Sequence, residues 1–258
     1  MVVIGDLAVS FFAALAVMSC AFVVGWYKKR YDSVDVAWGM AILASVIVQI
    51  PFHFTQSTVA IAASACICLW ALRLSFHIGK RWLHAKTEDP RYVALKKQWP
   101  KRFVGLQTFF RIYLVQAVLA VIVSLPGIAL WLDKPAVSSL TMVGLVLWVG
   151  GFIIESVADY QLRSHVAQKP GTLMTSGLWR YSRHPNYFGE LVMWWGIACL
   201  SLSSPSWWLA TIGAATISIL IIFISGIPPS EQRSSRYPNW NEYRRATSVL
   251  VPLPPQQR

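Results

Sequence analysis

The sequence predicts an all-α, polytopic membrane protein with about seven transmembrane helices. Of its 258 residues, 55% are hydrophobic and only 13% are charged, and the mean hydropathy is +0.49. Soluble domains carry roughly 25% charged residues. The apolar residues also form long runs, and roughly 20 such residues cross a bilayer as a helix. These observations exclude an ordinary soluble domain.

Each predicted crossing corresponds to one apolar run. The sixth run is short, and its boundary with the seventh depends on Ser203, Ser204 and Pro205. Six and eight crossings are therefore the alternatives to seven. The seven runs are Ile4–Gly25, Val34–Phe54, Ser57–Gly79, Gly105–Trp131, Ser138–Ala158, Tyr187–Ser203 and Pro205–Ile227.

The loop charges alternate along the chain. Lys and Arg residues follow the first, third, fifth and seventh runs, whereas the other loops contain one cation, Lys134. Because cytoplasmic loops retain Lys and Arg, we expect the N-terminus outside and the C-terminus in the cytoplasm. The net charge of +12 is divided among four loops, which disfavours a nucleic-acid-binding patch. Anionic lipid headgroups and an anionic cofactor are the expected partners.

Familiar nucleotide and metal motifs are missing from the sequence. It contains no Gly-x-Gly-x-x-Gly after a strand, no Walker-type loop and no His-Glu-x-x-His. The four cysteines lie in apolar runs, and Cys66-x-Cys68 lacks metal-ligand spacing. We therefore expect no metal, and a nucleotide would bind between helices. No internal repeat or long linker divides the chain, so residues 1–258 are predicted to form one domain.

Several ionisable residues lie within or at the ends of apolar runs, where a charge is costly. All of them lie towards the predicted cytoplasmic ends, which suggests one polar cavity open to the cytoplasm. Snorkelling to the interface is the alternative for His77 and Arg111. The set is Asp35, Arg73, His77, Arg111, Glu155, Asp159 and Glu190.

Glu155 and Asp159 are four residues apart and share one helix face. We interpret this face as a hydrogen-bond acceptor for a ligand's hydroxyl or amide groups. Arg163, one turn further on, can pair with Asp159. The alternative is a structural pairing with Arg73 or Arg183.

The segment 176–190 carries the densest set of polar candidates. Pro185 suits the first position of a helix, which places Arg183 and His184 just before a helix N-terminus. Free backbone N–H groups and the helix dipole favour a phosphate there. Asn186 and Glu190 then share the inner face of the first turn, while Gly189 lets something approach the backbone. A structural basic loop at the lipid headgroups is the alternative.

At residues 183–190, Arg-His-Pro-Asn-Tyr-Phe-Gly-Glu, the chain resembles the membrane steroid 5-alpha-reductase superfamily, and in particular its bacterial DUF1295 group. The Arg-His-Pro-x-Tyr-x-Gly core is shared with membrane methyltransferases that resemble isoprenylcysteine carboxyl methyltransferase. The extension to Asn186 and Glu190, with Glu155 and Asp159 upstream, favours the reductases. Further matching segments are Ser33–Gly39, Glu88–Tyr92, Glu155–Asp159, Ser176–Tyr181, Ser225–Pro228 and Tyr243 before the Pro-rich end.

The resemblance implies a seven-helix reductase in the bacterial inner membrane that holds NADPH and reduces a carbon–carbon double bond of a lipid, sterol-like or enone substrate. Residues 138–258 would carry the nucleotide site, and Asp35 and Arg73 are the catalytic candidates. The cofactor-binding candidates are Glu155, Asp159, Arg163, Tyr181, Arg183, His184, Asn186, Tyr187, Glu190, Tyr243 and Arg244.

The second helix and the third depart from the pattern of steroid-reducing members. Those members carry a Gln-Glu pair and a tyrosine, where this sequence has Val34-Asp35 and Trp70. Asp35 is the candidate acid, and an ion pair with Arg73 is its structural alternative. Two other functions stay open: a methyltransferase that uses S-adenosylmethionine, and a lipid-binding protein without catalysis.

Overall fold

A computed structural model describes residues 2–53 and 57–256. Their regular structure is helical, apart from one isolated parallel bridge between Ser182 and Ser248. The predicted all-α class is therefore confirmed. The predicted end of the second run, Phe54, lies outside the described residues.

The described residues form eleven α-helices. They are α1 (Val2–Lys28), α2 (Ser33–Ile47), α3 (Thr58–His84), α4 (Pro90–Lys97), α5 (Val104–Thr108), α6 (Leu114–Asp133), α7 (Ser139–Gln168), α8 (Pro185–Cys199), α9 (Trp207–Ile219), α10 (Ile227–Ser234) and α11 (Trp240–Ala246). A π-helical turn, Phe109–Tyr113, joins α5 to α6, and another, Leu220–Ile224, follows α9.

Within residues 2–53 and 57–256, five helical stretches are long and apolar enough to cross a membrane, which makes the chain an integral multi-pass membrane protein. They are Val3–Lys28, Thr58–His84, Val104–Asp133, Ser139–Gln168 and Trp207–Ser234. The count of seven is not confirmed, because α2 and α8 contain 15 residues each and a full crossing needs roughly 20. The orientation stays a prediction.

The described residues cluster into two compact units, and the single domain stays a prediction. The first unit contains the chain up to Val137 together with Ser201–Gly213. In it α2 packs against α1, α3 and α6, and most of its residues are buried. A helix surrounded by other helices is apolar on every side. This explains why α2, although short, has the sequence pattern of a membrane-spanning helix.

The second unit contains Ser138–Leu200 and the chain from Ala214, and the pair α7–α8 forms its centre. Glycines bring the two backbones together. A Cβ added to Gly196 would lie 2.7 Å from the carbonyl oxygen of Gly144, and one on Gly189 would lie 2.6 Å from that of Gly151. Small residues allow this approach in membrane helices.

Candidate functional site

The second unit brings together the predicted polar face of α7 and the start of α8. The side-chain nitrogen of Asn186 donates to Asp159 Oδ1 over 3.2 Å. The other end of the same amide, Asn186 Oδ1, is buried, and no described residue donates a hydrogen bond to it. A buried acceptor that lacks a donor costs free energy. This atom is therefore a place where a ligand's N–H or O–H group is accommodated.

The two glutamates lie on the same pair of helices. Glu155 is 3% exposed, and Glu190 is half-buried. The sequence indicated that something approaches the backbone at Gly189, and the structure identifies it as α7, since an added Cβ would lie 2.6 Å from the Glu155 amide nitrogen. Glycine thus places the carboxylate-bearing turn of α7 directly against the first turns of α8.

The N-terminus of α8 forms as the sequence predicts, with Pro185 in the first turn and His184 at the N-cap. Arg183, however, does not stand free at this end. Its Nε donates to Glu231 Oε1 over 2.8 Å, and its Nη1 donates to the carbonyl oxygens of Arg244 and Thr247, each over 2.8 Å. The guanidinium is buried and its donors bind the tail, so contact with a phosphate would require this network to open.

Tyr243 is also held by contacts within the unit. Its hydroxyl donates to the carbonyl oxygen of Trp179 over 2.6 Å. Burial raises the pKa of the Tyr243 phenol, so the group keeps its proton and its role as a donor. Together, Arg183 and Tyr243 fasten the C-terminal tail to the loop that precedes α8.

His184 is buried beside the same network. Its ring stacks on Tyr187 with centroids 5.5 Å apart, and its Nε2 lies 3.5 Å from Glu231 Oε1. Burial lowers the pKa of His184 to about 4, an effect that the Glu231 charge opposes and the Arg183 charge reinforces. At neutral pH the imidazole is therefore uncharged, and it adds no positive charge for a phosphate.

Three further candidates lie at the surface of the second unit. The Arg163 guanidinium lies over the Tyr160 ring, 5.8 Å from its centroid. The described contacts do not include an ion pair of Arg163. Tyr181 is exposed, and its carbonyl oxygen accepts from the amide of Leu253. Arg244 is exposed as well. Of the three, the two arginines offer charge to an anionic ligand.

In the first unit, Asp35 forms its described ion pair with Arg91. The sequence had suggested Arg73 as the partner. Arg91 Nη2 donates to Asp35 Oδ2 over 2.8 Å, and the Tyr92 hydroxyl donates to Asp35 Oδ1 over 2.5 Å. Both oxygens of the Asp35 carboxylate are therefore engaged, one by a guanidinium and one by a phenol. Through Arg91 and Tyr92, Asp35 fastens α4 to α2, and both its catalytic role and the pair with Arg73 stay predictions. Arg73 also lies in this unit, on α3.

A second carboxylate, Asp32, was not among the sequence candidates. It is 5% exposed, accepts from Trp82 Nε1 over 2.6 Å and from the Asp89 amide over 2.9 Å, and pairs with Arg30 at 3.1 Å. Asp32 and Asp35 line a cavity of about 220 Å³. Because their oxygens are already engaged, this cavity offers few free acceptors to a ligand.

Sequence reasoning missed Glu231, Arg91, Tyr92 and Asp32 as members of these networks. Glu88–Tyr92 had been noted only as a matching segment without a role. One signal for Glu231 was available, because the basic tail contains only two acidic residues, Glu231 and Glu242, and an acid among several arginines favours a specific pairing.

A family described as "Protein of unknown function (DUF1295)" matches residues 21–247. "3-oxo-5-alpha-steroid 4-dehydrogenase 1" of Bos taurus is 36% identical over 127 residues, which cover 48% of this chain and 44% of that protein. The Macaca fascicularis protein of the same name is 30% identical over 121 residues, 43% of this chain and 40% of that protein.

A more distant relative, an uncharacterized protein of Schizosaccharomyces pombe, is 24% identical over 176 residues, 56% of this chain and 51% of that protein. The chain thus spans about half the length, or less, of the curated relatives it matches. No solved structure matches it.

Proposed function

The chain belongs to the DUF1295 family, and from this premise we propose that it is an NADPH-dependent membrane oxidoreductase that reduces a carbon–carbon double bond in a lipid, sterol-like or enone substrate. The named relatives are steroid dehydrogenases, which supports a reductase of a steroid-like molecule. The proposal extends that activity to this chain and specifies the cofactor.

One observation carries the proposal, namely the buried, unpartnered Oδ1 of Asn186 beside Asp159. It is an acceptor with no donor among the described residues, next to a carboxylate and at the start of α8. A nucleotide supplies hydroxyl and amide N–H donors together with phosphates. The helix N-terminus favours the phosphates, and the carboxylates favour the donors, so one ligand class fits both features.

The residues that would hold NADPH are those of this polar face, Glu155, Asp159, Asn186 and Glu190, with Arg163 and Arg244 as surface cations for its phosphates. When bound, NADPH supplies a hydride. The residues of this chain bind and orient the cofactor, and the buried α7–α8 contact excludes water from their inner side. Arg183 and Tyr243 act in this proposal by holding the loop before α8 in place.

The test is equilibrium binding to the full-length protein purified in detergent. We expect NADPH to bind and S-adenosylmethionine not to bind. Asn186→Ala should weaken NADPH by about 1–3 kcal/mol, roughly five- to a hundredfold, because a ligand donor loses its acceptor. Asn239→Ala is the matched control, since Asn239 is an exposed asparagine of the same unit and its loss should leave affinity unchanged.

Three outcomes would contradict the proposal. Binding of S-adenosylmethionine alone indicates the methyltransferase, and binding of neither molecule indicates a lipid-binding protein. Equal affinities of wild type and Asn186→Ala would move the site elsewhere. A positive result is followed by a panel of enones, with NADPH consumption as the measurement.

A further inference from the structure

The cations of residues 91–102 fall into two groups that the sequence does not separate. The first group is neutralised by carboxylates. Arg91 pairs with Asp35 at 2.8 Å, and Lys96 pairs with Glu88 at 2.6 Å. These contacts fasten α4 to the first unit and leave Arg91 and Lys96 little charge to offer a ligand.

The second group lies in residues 97–106, which run from the last residue of α4 into the start of α5 and are hereafter called the basic turn. Lys97, Lys101 and Arg102 are exposed, and the described part of the chain gives none of them an acidic partner. The turn has a fixed shape, because Gln107 Nε2 donates to the carbonyl oxygens of Pro100 and Arg102 over 2.9 and 2.7 Å. Three uncompensated charges are therefore held on a fixed backbone.

Large apolar side chains stand among these charges. Phe103 is 64% exposed and Leu106 is 57% exposed, and the Arg102 guanidinium lies 4.9 Å from the Phe103 ring centroid. Phe103 has a φ of +57°, a left-handed conformation that bulky residues rarely adopt. The strain is retained although the ring packs into no core, which is expected where an exposed conformation serves contact with something outside the chain.

The position of the basic turn identifies that contact. The turn leads directly into the candidate span Val104–Asp133, so it lies where a helix leaves the hydrocarbon and meets the headgroups. Cations with adjacent exposed aromatic and aliphatic side chains match this boundary. A lipid offers both a phosphate anion for the cations and acyl carbon for Phe103 and Leu106.

We propose that the basic turn is a binding site for anionic phospholipid headgroups, in which Lys97, Lys101 and Arg102 contact the phosphates while Phe103 and Leu106 enter the acyl boundary. The cations set the preference for anionic over zwitterionic lipid. The apolar side chains contribute equally to the binding of both lipids.

The experiment measures lipid retention by the full-length protein in a neutral detergent, using native mass spectrometry with phosphatidylglycerol or phosphatidylcholine. Wild type should prefer phosphatidylglycerol. Replacing any one of Lys97, Lys101 and Arg102 with serine should reduce that preference about fivefold. Replacing all three, in the triple serine variant, should reduce it further. Lys134→Ser is the control, because Lys134 carries the same charge outside the turn, and it should leave the preference unchanged.

A second variant separates the two parts of the site. Phe103→Gly suits the positive φ and should fold at least as well as wild type, yet it should weaken both lipids equally. Equal retention of the two lipids by wild type, an unchanged preference in the triple serine variant, or an equal loss in Lys134→Ser would overturn the proposal. Displacement of phosphatidylglycerol by equimolar inorganic phosphate would also overturn it, since the site would then bind any phosphate.

Discussion

Replacing Glu231 with glutamine removes the carboxylate that pairs with the Arg183 guanidinium, which is 7% exposed. Arg183 Nε and Nη2 lie 2.8 and 2.7 Å from Glu231 Oε1. After the change, Nη1 still donates to two backbone carbonyl oxygens, but the buried charge has no counter-ion. The loop before α8 and the C-terminal tail then lose their strongest mutual contact.

The size of the effect follows from burial. Removing one partner of a buried ion pair costs about 3–5 kcal/mol. The Glu231 side chain is 21% exposed and glutamine keeps one acceptor, so we expect about 2–3 kcal/mol. For a chain of this size that corresponds to a fall in Tm of roughly 4–12 °C.

The assay is thermal unfolding of the purified protein in detergent, followed by tryptophan fluorescence. Glu242→Gln is the matched control, because Glu242 lies in the same tail and is exposed, and its Tm should stay within about 1 °C of wild type. If Glu231→Gln also unfolds within 1 °C of wild type, the Arg183–Glu231 pair does not hold the tail and our account of it is wrong.

Three other predictions follow from single contacts. Asp35→Asn should make trypsin cleave within the α4 segment about five- to thirtyfold faster, because the neutral amide loses the ion pair with Arg91 and one of its two acceptor oxygens, which together cost about 1–2 kcal/mol. An unchanged cleavage rate would contradict the fastening role. Gly196→Ala should destabilise the α7–α8 pair by about 1–3 kcal/mol through overpacking. Gly150→Ala should not, because nothing lies within 4 Å of the added Cβ, and equal melting temperatures of the two variants would refute this. The pKa of His184 is lowered to about 4 in the folded protein. The unfolded chain therefore takes up the proton first, and stability should fall as pH drops from about 6.5 to 4. His184→Gln should flatten this part of the stability profile, and an unchanged slope would count against the buried neutral imidazole.

The features that sequence predicted well are local. Pro185 begins α8 where the sequence predicted it, because a fixed φ and a missing N–H suit the first turn and no distant residue is needed. The all-α class followed from apolar runs for the same reason, since each run satisfies its own backbone hydrogen bonds as a helix. The lengths of α2 and α8 were less predictable, because apolar residues continue past a helix end into the next turn.

The polar face of the second unit was predicted in part. The spacing of Glu155 and Asp159 gave their common helix face, and Asn186 was placed on the first turn of α8. Their meeting depends on how α7 and α8 pack, and that is decided by pairs of glycines that are far apart in sequence, Gly151 with Gly189 and Gly144 with Gly196. The sequence indicated a close approach at Gly189 but did not identify the approaching backbone.

What the sequence alone determined is the class of the protein, a chain of apolar helices with its charges gathered at their ends. What only the tertiary structure decided is which charges meet. Asp35 and Arg91 are 56 residues apart, and Arg183 and Glu231 are 48 residues apart. Several cations lie at comparable sequence separations from each carboxylate. The order of residues therefore does not show which cation a carboxylate will pair with. Helix packing brings one cation within 3 Å of each carboxylate and holds the others away. It therefore decides which charged residues stabilise the fold and which are available to bind a ligand.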